Sequence, residues 1–318
     1  MTTVGVLGTG RMGGSMARAL ATAGFRLVLY NRHPDRAGEL AIELGAAVAL
    51  TPAELADTAD VCISSLADAR AVAELYEGPD GLIAGLRRGS IVAEMSTVLP
   101  ETILALEPAI CARGAVALDA PVSGSVSLAR SGQLTIMVGG APADLERARP
   151  VLSALASNVF HIGPLGSGAA MKLAVNAVVF GLNQALSEAL VLAEQAGIDR
   201  SVAYDVLAAS AVGAPYVAYK RAAFLYPESM PPAFSLELAE KDLRLIGDLA
   251  RAVGLDVLQT RSNLEYLRDA EASQGPEADI SAIATHIRRA TNPLSARGSS
   301  LASAPSAAGA EPKSGGGT

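Results

Sequence analysis

Tryptophan is absent from the 318-residue chain, phenylalanine and tyrosine are few, and only two cysteines and three histidines occur. Cys62 and Cys111 form no C-x-x-C pair, and His33, His161 and His286 are scattered, so no metal-ligand cluster can be read. Both thiols are expected to be reduced core residues. Positive charge is also scarce. Twenty-five Lys and Arg stand against 32 Asp and Glu, a formal charge of −7, which argues against nucleic acid as a partner. Any anion must therefore be met by local groups. Met1-Thr2-Thr3 runs straight into Val4-Gly5-Val6-Leu7, leaving no room for the charged and apolar regions of a signal peptide. The most apolar later stretch, Ala169 to Leu182, is interrupted by Lys172 and Asn176 and falls short of a membrane span. A soluble cytoplasmic protein with no membrane partner is expected.

What is present is apolar content of 50 %, rich in alanine, enough for two ordinary cores and favourable to helices packed through small side chains. From Val4 to about Gly163, short apolar runs alternate with amphipathic segments of helical period. This is the signature of an α/β domain with a doubly wound parallel sheet covered on both faces. Strands are expected at Val4–Leu7, Arg26–Tyr30, Val61–Ser65, Ser90–Glu94, Ala115–Asp119, Leu134–Val138 and Val159–Ile162. After Gly168 the strand signals stop. A long helical pattern runs from Ala169 to about Ala196, and others follow at Arg200–Ala209, Leu236–Val253, Ser262–Ala272 and Ile280–Arg289. The expected organisation is a sheet domain over 1–164, an all-helical substrate and dimerisation domain over 165–290, and a disordered Ser/Ala/Gly/Pro tail over 291–318. The helical half carries more Ala, Leu and Val than one small domain needs to cover itself, so a homodimer or homotetramer is expected.

Gly8-Thr9-Gly10-Arg11-Met12-Gly13 places G-x-G-x-x-G between the first strand and a helix. In that setting Gly8 permits the tight turn, Gly10 lets the backbone approach a pyrophosphate, and Gly13 packs the helix on the strand, with the helix N-terminus facing the anion. The N-terminal half is therefore expected to be a Rossmann dinucleotide-binding domain. Where an NAD site carries an acidic residue after the second strand, this chain has Tyr30-Asn31-Arg32, with Arg36 a turn later. Asn31 can donate to a 2′-phosphate and Arg32 can pair with it, so NADP(H) is expected in preference to NAD(H). The alternative is a solvated loop with both arginines in water.

On the long helix, Lys172 and Asn176 are i,i+4 neighbours, and Asn183 and Ser187 continue near that line. The stripe contains no carboxylate. It is either an ordinary wet helix face or the wall of a cleft between domains. In a partly desolvated cleft, a lysine beside a carbonyl serves as proton donor, because its pKa is readily lowered.

With these motifs in place, the chain resembles the β-hydroxyacid dehydrogenases, the group containing 3-hydroxyisobutyrate dehydrogenase and semialdehyde and glyoxylate reductases. The resemblance spans about residues 4–290 and rests on the glycine loop, Met95-Ser96-Thr97, Asp119-Ala120-Pro121-Val122-Ser123-Gly124, the Gly166-to-Asn176 segment and Lys241-Asp242-Leu243. It implies that Ser123 and Gly124 hold a substrate carboxylate, Lys172 is the general acid or base, and Asn176 orients Lys172 and the substrate. It also places Lys241 beside nicotinamide and substrate, Ser96 or Thr97 near the nicotinamide ribose, and Leu66 against the cofactor. Ser125 departs from the family, whose pattern usually has a second glycine there, and either narrows the carboxylate site or adds a donor to it. Backbone N–H groups at Ser123–Ser125 together with Lys241 would supply the positive potential for a small carboxylate. The implied activity is NADP(H)-dependent interconversion of a small carboxylate-bearing aldehyde or ketone with its hydroxy acid. Two other readings compete: an imine reductase-like enzyme, whose relatives typically lack this lysine, and a non-catalytic NADP(H)-sensing protein.

Overall fold

The computed structural model describes residues 2–291, so the predicted tail, apart from Thr291, lies outside the described residues. Nine strands form one sheet: β1 (Thr3–Leu7), β2 (Arg26–Tyr30), β3 (Ala47–Val48), β4 (Val61–Ser64) and β5 (Ile91–Glu94), then β6 (Val116–Asp119), β7 (Val122–Ser123), β8 (Leu134–Gly139) and β9 (Ala156–Gly163). Between them run α1 (Arg11–Thr22), α2 (Pro34–Leu44), α3 (Pro52–Thr58), α4 (Ala69–Tyr76), α5 (Leu82–Gly85), α6 (Pro100–Ala112), α7 (Val126–Arg130) and α8 (Pro142–Leu155). The helical half holds α9 (Ser167–Gln195), α10 (Arg200–Ala209), α11 (Pro215–Leu225), α12 (Leu236–Ala252), α13 (Leu258–Gln274) and α14 (Ala282–Thr291).

The strand order β3-β2-β1-β4-β5-β6 is parallel throughout, and the apolar runs of β1, β4 and β5 are buried on both faces as their unbroken hydrophobicity requires. The expectation of a wholly parallel sheet fails beyond β6. Asp119 pairs Gly139, Val122 pairs Ile136 and Ser123 pairs Thr135, all antiparallel and in one unbroken register, so β7 continues β6 along β8. Pro121 has no N–H to give, but its carbonyl accepts from Met137 N at 3.1 Å, and the ladder passes through it. The connection 124–133 holds only the short α7, too little chain for a crossover to a parallel neighbour, so β8 reverses direction and β9 pairs parallel to β8.

Two further elements escape the sequence patterns. β3 is two residues long and exposed. In α11 the buried face includes Lys220, 3 % exposed and 2.7 Å from Asp279, which breaks the apolar period that would have marked a helix.

α9 is long and apolar enough to cross a membrane by length and composition, contrary to the shorter stretch expected. It is instead a central strut. It packs on β6 to β9 at its start and on α10, α12, α13 and α14 beyond. Its beginning is tied to the sheet by Asp119, whose two carboxylate oxygens accept Gly166 N at 2.8 Å and Ala169 N at 2.6 Å, satisfying orphan donors of the first turn. A Cβ on Gly168 would collide with the Met137 carbonyl, so the close crossing of helix over strand requires glycine there. Cys62 is buried, and burial pushes its thiol up to about 12. Cys111 is exposed, not a core residue, because α6 turns Ile103, Leu106 and Ile110 inward and Cys111 falls off that face.

Candidate active site

Gly8 has φ +90°, outside the range of ordinary residues, and a Cβ there would strike the Ser65 carbonyl. A Cβ on Gly13 would overlap the carbonyl oxygen of Gly8. Around Gly10, in contrast, a Cβ would meet nothing within 4 Å, and the N-terminus of α1 behind it has no side-chain cap and no acidic residue in its first turn. Thr9 Oγ1 is buried and, among the described residues, has no hydrogen-bond partner. Open space over Gly10, bare helix N–H groups and an orphaned hydroxyl together fit a dinucleotide pyrophosphate.

Asn31 stands just past the end of β2, beside the glycine turn. Its amide oxygen accepts Thr9 N at 3.2 Å and its nitrogen donates to His33 O at 3.0 Å, so it braces the glycine turn from the end of β2. Arg32 is 76 % exposed, with Nη1 3.9 Å from Glu74 of α4. On the next loop, Leu66 N donates to Ser96 Oγ at 2.8 Å, joining the tips of β4 and β5 beside the turn.

The second half of the site is assembled from α9, α12 and the loop after β5. Asn176 is buried, and its amide nitrogen donates to Asp242 Oδ2 at 2.8 Å. Lys241 Nζ lies 2.9 Å from Asp242 Oδ1 and donates to the Thr97 carbonyl at 2.8 Å, tying α12 to the loop after β5. Lys172 is half-buried, its ammonium crowded by protein. That desolvation lowers its pKa from 10.5 to about 8; Asp242 opposes the fall and Lys241 adds to it. Burial pushes the Asp242 carboxyl up, while Lys241 and Lys172 pull it back.

Ser123 and Gly124 sit where β7 meets α9, both half-buried, with Gly124 at φ +140°. Ser125 caps α7: its hydroxyl accepts Leu128 N at 3.3 Å and lies 2.7 Å from Ser127 Oγ, so the departure from glycine serves a helix start.

Lys172, Asn176, Lys241 and Thr97 are thus brought together. The lower half of the polar stripe is not part of the cleft. Asn183 donates to Ile280 O and accepts from Tyr216 OH, while Ser187 bonds the Asn183 carbonyl, all inside the helical core. Asp242, the hub of the cluster, was visible in sequence only as the middle of Lys241-Asp242-Leu243. Glu94 and Asp119, both buried acids, gave no periodic signal.

A dinucleotide-type glycine loop in the same chain as a desolvated lysine held in a cluster of Asn176, Lys241 and Asp242 fits a nicotinamide-dependent oxidoreductase. A family profile described as the NAD binding domain of 6-phosphogluconate dehydrogenase matches residues 3–163. One described as the NAD-binding region of NADP-dependent 3-hydroxyisobutyrate dehydrogenase matches 166–287. Glyoxylate/succinic semialdehyde reductase 1 of Arabidopsis thaliana is 33 % identical over 288 residues, covering 90 % of this chain and 98 % of its own. The 3-hydroxyisobutyrate dehydrogenase of Pseudomonas aeruginosa is 37 % identical over 265 residues, covering 80 % and 87 %. The crystal structure of 3-hydroxyisobutyrate dehydrogenase from Salmonella typhimurium superposes with a TM-score of 0.82 at 28 % identity, covering 90 % of this chain and 99 % of that one. The chain belongs to the β-hydroxyacid dehydrogenase family.

Proposed function

We propose that this protein is an NADP(H)-dependent enzyme that interconverts a small carboxylate-bearing aldehyde or ketone, of the semialdehyde or glyoxylate kind, with its hydroxy acid. The observation that carries the reading is Lys172, poised near working pH by burial in the cleft where α9 leaves the sheet domain. The nicotinamide, when bound, supplies or takes up the hydride. As ammonium, Lys172 donates a proton to the oxygen that becomes the hydroxyl; as free amine, it takes that proton back in oxidation. Asp242 holds the amide nitrogen of Asn176, leaving the amide oxygen for Lys172 or substrate. Lys241, tied to Thr97 and Asp242, fixes the cleft width and contributes positive potential. The substrate carboxylate is assigned to Ser123, Gly124 and the Ser125 backbone, since the Ser125 hydroxyl is spent on α7.

Preference for NADP(H) is supported by the arginine pair Arg32 and Arg36 and by the lack of an acid at the end of β2. Asn31 braces the glycine turn with its oxygen and one amide hydrogen, and its other amide hydrogen is assigned with the arginines to the 2′-phosphate. Exposed Val178 and Leu192 on α9, with Val202 and Val206 on α10, support a homodimer or homotetramer; a monomer in sedimentation at micromolar concentration contradicts that assembly.

The test is a panel of glyoxylate, succinic, tartronate and methylmalonate semialdehydes plus a cyclic imine, with NADPH and NADH, on wild type and Lys172→Ala. Carbonyl reduction favouring NADPH, reduced more than about a hundredfold in the variant, is the expected result. Equal aldehyde reduction by both proteins contradicts the role of Lys172. Imine turnover without carbonyl turnover contradicts the substrate class.

A further inference from the structure

The sheet domain buries a carboxylate that this chemistry does not use. Glu94, the last residue of β5, is 1 % exposed and, among the described residues, has no ion-pair partner. Its Oε2 accepts from the Ser64 hydroxyl and from Tyr76 OH at 2.9 Å, and its Oε1 accepts from Ser96 N at 2.7 Å. Burial pushes its carboxyl above the usual range, so the position costs stability that an apolar side chain would not.

What the carboxylate holds is the turn between the two halves of the site. Ser96, pinned through its N–H, accepts Leu66 N on its hydroxyl, and the Leu66 side chain lies 3.0 Å from where a Gly8 Cβ would stand. The next residue, Thr97, gives its carbonyl to Lys241, which pairs with Asp242, which in turn holds Asn176. The Ser96-Thr97 turn is therefore gripped from the sheet side by Glu94 and from the helical domain by Lys241. A shift of this turn moves both the wall of the glycine loop and the anchor of the lysine cluster.

We propose that Glu94 is a positioning residue: its Oε1 fixes the Ser96-Thr97 turn on which the nicotinamide end of the cofactor rests, and so sets cofactor affinity without taking part in proton transfer. This rests on the cofactor placement proposed above. Tyr76 touches only the far oxygen, Oε2, and has no bond to the turn.

The test compares Glu94→Met, Glu94→Asp and Tyr76→Phe in the full chain. Binding of NADPH and NADH is followed by fluorescence titration, KM and kcat are separated, and amide exchange over 64–99 is measured in the cofactor-free protein. Glu94→Met, similar in size but without an acceptor for Ser96 N, is expected to raise the dinucleotide Kd and KM about fivefold, with kcat changed by less than about twofold. Exchange at Leu66 and Ser96 should quicken while Tm holds or rises. Glu94→Asp, too short to reach Ser96 N, should raise Kd comparably, and it keeps the test decisive if the methionine variant does not fold. Tyr76→Phe should lower Tm and leave Kd at the wild-type value. Wild-type Kd in either folded Glu94 variant overturns the proposal, as does a Kd in Tyr76→Phe that rises in step with its loss of Tm. If wild type binds neither dinucleotide, the cofactor reading fails; if it binds and the Glu94 variants bind as well, only the positioning role fails.

Discussion

The cofactor edge and the lysine cluster are built by opposite means. At the edge, recognition belongs to the backbone: three glycines within one turn remove side chains, and the helix start and strand supply the groups that face the ligand. In the cluster, recognition belongs to side chains carried on α9, α12 and the β5–α6 loop, far apart in sequence and joined by the packing of α9 on α12 and the Lys241–Thr97 bond. The difference teaches where each region is vulnerable. The edge breaks when a single atom is added; the cluster breaks when a charge is removed.

The largest expected effect is Gly13→Ala, which puts a methyl group onto the Gly8 carbonyl, a backbone atom that cannot step aside. Dinucleotide affinity should fall by more than about a hundredfold, or Tm should collapse. Retention of both would mean that the turn yields, and that the edge is no more rigid than the cluster. Lys172→Met sharpens the contrast from the other side. Activity should be lost while the protein becomes more stable, because burial has lowered the lysine pKa from 10.5 to about 8. Between those values the unfolded chain binds more protons than the folded one, so wild-type stability rises with pH across that window, and at neutral pH the charged lysine costs about 3 kcal/mol. A less stable methionine variant in denaturant titration would contradict the desolvation account. The smallest effect belongs to Ser125→Gly, which restores the usual family residue and removes the α7 cap. A loss of only a few tenths of a kcal/mol is expected, approximately, with the substrate KM altered by less than about threefold. A large change in KM would show Ser125 in direct contact with substrate.

Legibility in the sequence follows the same division. The run from β1 through α1 to β2 could be read because its signals are contiguous: an apolar strand, a glycine turn, a helix and a second strand at its expected distance. The reversal at β8 could not, since it depends on how little chain lies between β7 and β8. α11 was hidden by the inward-facing Lys220, whose partner Asp279 lies 59 positions away. Lys172 and Asn183 sit on one polar stripe, yet one lies beside Lys241 and Asp242 and the other bonds Tyr216 within the core; spacing alone cannot separate them. Asp242 and Glu94 organise their surroundings through bonds to distant elements, and an acidic residue at the end of a strand or within a charged helical turn carries no sign of being buried.

The most direct measurement is the pH dependence of kcat/KM in both directions for wild type and Asp242→Asn. Reduction needs the Lys172 ammonium and should fall as pH rises through about 8, whereas oxidation needs the free amine and should rise through the same value. Asp242 holds the lysine pKa up against burial, so the asparagine variant should move both limbs to lower pH. Wild-type profiles flat across this range, or limbs that stay in place in Asp242→Asn, would contradict the assignment of Lys172 as the proton donor tuned by its buried carboxylate neighbour.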